Sequence, residues 1–176
     1  MLAISTPSSR VDPAHAVLRL VDTCDSLGAV FLDGALRTLN ALLADPGLLD
    51  GVPVPQGTSS ERTLLWSDPM NRFGIWALWW PAGSQTPIHD HHCSCAFGVY
   101  RGAIDEILYE VRDEQVIERQ CCVREEGYVG GGQGRGVHRM RNSGEQLAVS
   151  IHLYTYHPRL HENSIGRRFP EPRHDA

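Results

Sequence analysis

Apolar and polar positions change rhythm near residue 50. Before it, in "VDPAHAVLRLVDTCDSLGAVFLDGALRTLNALLAD", apolar residues recur at helical spacing. Val17, Leu20, Val21 and Cys24 form one set, and Leu32, Leu36, Leu39 and Leu43 another. Asp12 before Pro13 makes a fitting N-cap with proline in the first turn, and Pro46-Gly47 ends the pattern. Two or three helices are predicted between residues 11 and 45, in an N-terminal helical region reaching residue 50, with the apolar stripe packed on the rest of the domain.

"LLDGVPVPQGTSS" then reads as a proline-glycine linker. From Glu61 the period shortens to that of strands: "RTLLWS", "FGIWALWW", "CAFGVYRG", "AIDEILYEV", "QVIERQCCV" and "QLAVSIHLYTY". Short strands at regular intervals with no helices between them predict a β-sandwich or barrel. The glycine-rich "GYVGGGQGRGVH" lacks the strand-then-helix setting and the Lys-Ser/Thr of a phosphate loop. It is predicted to be a loop that brings backbone close to a site. The chain is predicted to be one domain over 1–176: helices at 11–50, a barrel at 61–157 and a tail at 158–176.

Composition narrows the function classes. The 176 residues are 41% hydrophobic and 21% charged, with net charge −5 and a pI near 6.0. That balance argues against a nucleic-acid groove or a basic membrane patch. "MLAISTPSSR" has no basic n-region or apolar h-region, and no apolar run nears the roughly 20 residues of a membrane span. A soluble, cytoplasmic protein is expected, as a monomer or small homo-oligomer. The five cysteines are then expected to be reduced thiols. Cys93 and Cys95 suit zinc, but a structural zinc site wants a second spaced pair, and Cys121 and Cys122 are adjacent.

The chemistry concentrates in "TPIHDHHCSCAFG". His89 and His91 are two apart, so on a strand both imidazoles face the same way, a sound way to present two metal ligands. His138, after the glycine-rich stretch, is the candidate third. Asp90 points the other way and is expected to bond backbone or orient a neighbour. In "AVSIHLYTY", Ser150, His152 and Tyr154 alternate with Val149, Ile151 and Leu153. Two readings stand: a polar face toward solvent, or a Ser-His-Tyr row lining a barrel interior.

"PIHDHHCSCAFGVYRG", "GVHRMRN" and "SIHLY" together resemble the cysteine dioxygenase family of thiol dioxygenases, within the cupins. Gly83 followed by His89-x-His91 fits the first cupin pattern, and His138 with Asn142 fits the second. The similarity spans about residues 60 to 156. It implies a mainly β fold, the cupin double-stranded β-helix or jelly-roll barrel, behind N-terminal α-helices. It also implies a non-haem Fe(II) held by His89, His91 and His138, in place of the commoner two histidines and a carboxylate. The implied reaction joins a small thiol and O2 into a sulfinate. The thiol reacts as its thiolate, with Tyr154, positioned by His152 and Ser150, as the catalytic hydroxyl. The thiol would be cysteine or a mercapto-carboxylic acid such as 3-mercaptopropionate. Its carboxylate would meet Arg62, or Arg167 or Arg168 in "GRRF", since a planar guanidinium holds a carboxylate by two bonds.

Two departures from the family pattern are visible. Ser60 stands where a tyrosine is expected. The position that carries a tyrosine-crosslinked cysteine in animal enzymes falls on Ala96, with Cys95 expected to face away, so no crosslink is expected. Other classes stay open: another metal-dependent cupin enzyme, an isomerase or C–C dioxygenase, or a non-catalytic ligand-binding cupin.

Overall fold

The computed structural model describes residues 13–70, 72–113, 115–134, 136–155 and 164–172, and side chains from residue 26 onward. Asp12, the expected N-cap, lies outside the described residues. One helix, α1 (Pro13–Leu43), runs where two or three were expected. Its interior holds two glycines and no proline. A helical glycine costs only about 1 kcal/mol, too little to break a helix whose apolar stripe continues on both sides. Gly28 also serves packing, since a Cβ there would lie 3.3 Å from Ser94 Oγ. The helix ends at a turn in which the Gly47 amide donates to Asp45 Oδ1 at 2.9 Å. Tyr100 Oη donates to the Pro46 carbonyl at 2.8 Å.

The strands are β1 (Glu61–Ser67), β2 (Gly74–Trp80), β3 (Ile88–His91), β4 (Cys95–Arg101) and β5 (Ala103–Arg112). They continue with β6 (Gln115–Glu125), β7 (Val129–Gly132), β8 (Val137–Arg141), β9 (Ala148–Tyr154) and β10 (Ile165–Phe169). They form two antiparallel five-stranded sheets, in the orders β1-β2-β9-β4-β7 and β10-β3-β8-β5-β6. From β2 to β5, and again from β6 to β10, successive strands alternate between the sheets, as in a jelly roll. This is the mainly β double-stranded β-helix, with a helix laid on one sheet.

Two segments differ from expectation. Part of the glycine-rich stretch is strand β7, paired with β4. Part of the expected tail is strand β10, paired with β3.

The central strands of the first sheet, β2, β9 and β4, are covered on both faces, which explains their near-continuous apolar runs. On its outer face Ala77, Trp79, Ala96, Val149, Ile151 and Leu153 pack against Ala35 and Leu39 of α1. Leu39 and Ile151 are fully buried, each contributing about 1.5–3 kcal/mol of apolar burial. On its inner face Leu78, Trp80, Phe97 and Val99 meet Ile104 and Met140 of the second sheet. Asn142, 1% exposed, clamps this core. Its Nδ2 donates to the carbonyls of Trp80 and Gln146, both at 2.7 Å. No helix among the described residues is long and apolar enough to cross a membrane.

Candidate metal centre

Strand alternation sends His89 and His91 to one side of β3 and Asp90 to the other. Asp90 accepts from the Arg167 amide at 2.6 Å and from Arg167 Nε at 2.8 Å, tying β10 onto β3. The third imidazole arrives by cross-strand pairing, because His138 of β8 is the register partner of His89. The ligand atoms of His89, His91 and His138 lie within 4.8 Å of one another.

Every Nδ1 of the three is engaged: His89 with the Pro87 carbonyl at 2.8 Å, His91 with the Ser164 carbonyl at 3.1 Å, and His138 with Glu106 Oε1 at 3.2 Å. A carbonyl or carboxylate only accepts, so each Nδ1 carries a proton, and in the neutral ring Nε2 presents a bare lone pair. Burial, then the neighbouring His138, pushes His89 down to about 4. Burial, with His138 and His89 behind it, pushes His91 down to about 3. His91 Nε2 faces His138 Nε2 at 3.0 Å. Two lone pairs at that distance repel, and a cation between them removes the repulsion. The donor set thus fits a divalent transition metal, and imidazoles accept iron, zinc, copper and nickel alike.

Glu106 was not visible as a site residue in the sequence. It binds His138 on one oxygen and Arg124 on the other, with Nε at 2.9 Å and Nη2 at 2.8 Å. Burial raises its pKa, but the bonds to His138 and Arg124 outweigh that and the net direction is down. An ionised carboxylate behind one ligand supplies negative charge that the three neutral imidazoles lack. The "AIDEILYEV" alternation puts Glu106 on the face of Ile104 and Leu108. Only the β5–β8 register, with Leu108 opposite His138, shows what it reaches.

Beside the histidines, strand β9 is buried at every position, so its polar row faces the barrel interior. Ser150 Oγ lies 2.7 Å from His152 Nε2, and Tyr154 Oη lies 2.9 Å from His152 Nδ1. Trp80 Nε1 donates to Ser150 Oγ at 2.8 Å. An indole N–H can only donate, so Ser150 accepts there and its own proton is free for His152 Nε2. With Ser150 donating to Nε2, His152 carries its proton on Nδ1 and donates it to Tyr154. The chain of donors runs Trp80, Ser150, His152, Tyr154, leaving the phenol proton to point onward. Burial first, and the three neighbouring histidines after it, hold the His152 pKa well below the ordinary value. The Tyr154 and His91 rings are 5.9 Å apart between centroids.

His89, His91, His138, His152 and Tyr154 line one cavity of about 350 Å³, within the range of small-ligand sites. Arg62 and Arg168 both reach it, whereas Arg167 is committed to Asp90. Cys95 lines it as well, and its orientation corrects the expectation that it faces away. Cys95 is the register partner of Tyr154, while Ala96 is fully buried toward α1. Cys95 has the parity of His89 and His91, so it was the crosslink position carried over from the resemblance, Ala96, that misdirected the expectation. The geometric ground for expecting no crosslink therefore falls. Burial pushes both Cys93 and Cys95 up to about 12, which keeps them neutral thiols.

A double-stranded β-helix enclosing three convergent histidines defines a cupin metal-binding barrel. The chain matches the cysteine dioxygenase type I family over residues 61–164 and belongs to that family, whose members are dioxygenases. No match was found among curated proteins. Among solved structures, the chain is similar to a conserved double-stranded β-helix protein from Klebsiella pneumoniae. The identity is 17%, over 62% of this chain and 87% of that one, with TM-score 0.46. It is also similar to the cupin domain of Cnp3 from Schizosaccharomyces pombe, at 14% identity over 65% and 70% of the two chains, with TM-score 0.49.

Proposed function

We propose that the protein is a non-haem Fe(II)-dependent thiol dioxygenase, converting a small thiol and O2 to the sulfinate. The observation that carries this reading is the set of three inward Nε2 lone pairs beside the Tyr154 hydroxyl, in a chain of this family. His89, His91 and His138 would hold the ion. Ferrous iron would supply the one-electron chemistry that lets O2 react with a thiolate. Both oxygen atoms end on sulfur, so a thiolate and O2 balance one sulfinate with no external reductant.

The chain's own residues do the rest. Neutral imidazoles leave the site more positive than a two-histidine, one-carboxylate site, which favours a substrate entering as thiolate. Tyr154 directs its proton toward the reacting sulfur and oxygen atoms, held there by His152 and Ser150. The apolar wall of Leu78, Phe97 and Met140 limits water around them. Arg62 and Arg168 are the candidate anchors for a carboxylate.

The test is oxygen consumption by iron-loaded protein with a panel of small thiols, with products identified by mass spectrometry. A thiol that gains two oxygen atoms is expected. Absence of thiol-dependent oxygen uptake by protein shown to hold iron would overturn the reading.

A further inference from the structure

His138 differs from the other two candidate ligands in what stands behind it. The Nδ1 protons of His89 and His91 go to backbone carbonyls, those of Pro87 and Ser164. That of His138 goes to a carboxylate, Glu106 Oε1, at 3.2 Å. Sheet order and register bring this about. Strand β5 lies between β8 and β6, and Glu106 pairs with Met140 on one side and Cys122 on the other. His138 and Arg124 each stand two residues from those partners. Both therefore share the face of Glu106, at diagonal positions within reach of long side chains.

Arg124 holds the carboxylate in place. Its Nε and Nη2 both donate to Oε2, at 2.9 and 2.8 Å, which leaves Oε1 to His138. The guanidinium lies over the Tyr128 ring at 4.3 Å, and that ring packs on Phe97 of the cavity wall, with centroids 5.5 Å apart. The Arg124 and Glu106 side chains are 23% and 12% exposed, so solvent ions screen their charges less than those of a surface pair. Glu106 is not among the residues lining the cavity and bears on the metal site through His138.

Resting on the dioxygenase reading of the site, we infer that Glu106 is a positioning residue that sets how tightly the ion is held and at what potential. A carboxylate accepting from Nδ1 fixes the ring and makes Nε2 a stronger donor to metal. In the two-histidine, one-carboxylate arrangement the carboxylate occupies a coordination position itself. Here the carboxylate contributes its charge from behind a histidine, and the cavity face stays open to thiol and O2. The Arg124 guanidinium offsets part of that charge.

The test measures ferrous affinity by competition with a chromophoric chelator under anaerobic conditions, and the potential of the bound iron by mediated titration. Glu106→Gln keeps the shape and an oxygen for His138 and removes the charge. Its ferrous affinity should fall by about 10- to 100-fold. Its potential should rise, by about 59 mV for each tenfold by which ferric binding loses more than ferrous. Arg124→Gln breaks the same ion pair but leaves the carboxylate. Its ferrous affinity should be no weaker than that of the unaltered protein, and its potential should fall.

Unchanged affinity and potential in folded Glu106→Gln protein overturn the inference. So do equal changes in both variants, which would mean that the ion pair alone matters. Should Glu106→Gln fail to fold, Arg124→Gln decides by itself: a potential that rises or stays the same ends the inference. Neither readout uses a thiol. Iron-loaded protein that oxidises no thiol overturns the dioxygenase reading, and the affinity and potential comparison still settles the role of Glu106.

Discussion

Strand β9 is buried on both faces, and the two faces solve burial in opposite ways. Val149, Ile151 and Leu153 lie under α1 among other apolar side chains. Ser150, His152 and Tyr154, from the same seven residues, form a hydrogen-bonded file on the cavity side. Apolar packing is non-directional and degrades in proportion to the atoms removed. A buried polar file depends on every partner, because each group left unpaired costs about 1–3 kcal/mol. The apolar face should therefore govern how firmly the protein folds, and the cavity face what it does. Substitutions and pH can separate the two.

The largest effect should come from the cavity side. His138→Ala should abolish metal retention after dialysis, since two imidazoles hold a labile divalent ion poorly. The fold should persist. Metal analysis checks this, and near-stoichiometric metal in the variant would remove His138 from the ligand set.

Acid should act next, and again on the cavity side. His89, His91 and His152 are held below the pKa of about 6.5 that histidine has in an unfolded chain. Below that value the unfolded chain binds protons that the native state refuses, so it gains on the native state as pH falls. Stability of the metal-free protein should be full above about pH 6.5. It should drop by several kcal/mol, in order of magnitude, as pH falls through about 4. Urea midpoints at pH 7.5 and pH 5 measure it, and equal midpoints would contradict neutral burial of these rings. Bound metal should move the loss to lower pH, because it competes with protons for Nε2.

On the apolar side, Ile151→Ala should cost about 2–5 kcal/mol of stability and leave metal content and KM unchanged at temperatures where the variant is folded. A variant equally stable but short of metal would show that the two faces are not separable.

Much of this arrangement was legible from local alternation. Strand parity alone put His89 with His91 and set Ser150, His152 and Tyr154 apart from the aliphatic residues between them. Parity could not say which face of β9 met the cavity, because α1 covers the other and that contact is remote in sequence. Glu106 was hidden for the same reason, since it reaches His138 only through the register of β5 on β8. The choice between Arg167 and Arg168 waited on β10 joining β3. Cys95 was assigned the wrong face because the resemblance placed the crosslink position on Ala96 by ungapped count, whereas parity from His89 and His91 keeps Cys95 on the cavity side.

The smallest effects should lie within the polar file and test whether it acts as one unit. Tyr154→Phe removes the terminal hydroxyl while keeping the ring, and should lower turnover by about 10- to 100-fold with metal retained. Trp80→Phe changes a side chain that lines the cavity but bonds to Ser150 rather than to Tyr154. It removes the indole donor that occupies one lone pair of Ser150 Oγ and so favours donation of the Ser150 proton to His152. Ser150 can then accept from His152 instead, which reverses the tautomer and turns the Tyr154 proton back toward the ring. Turnover should fall severalfold, at a stability cost of about 1 kcal/mol, with KM little changed. A role confined to packing predicts the same loss of stability but independent effects on rate. The double variant separates them. If Trp80 orients the file, Tyr154→Phe should cost much less in a Trp80→Phe background than alone, since the orientation it depends on is already lost. Fully additive losses would reduce Trp80 to a core residue and leave the direction of the file to Ser150 alone.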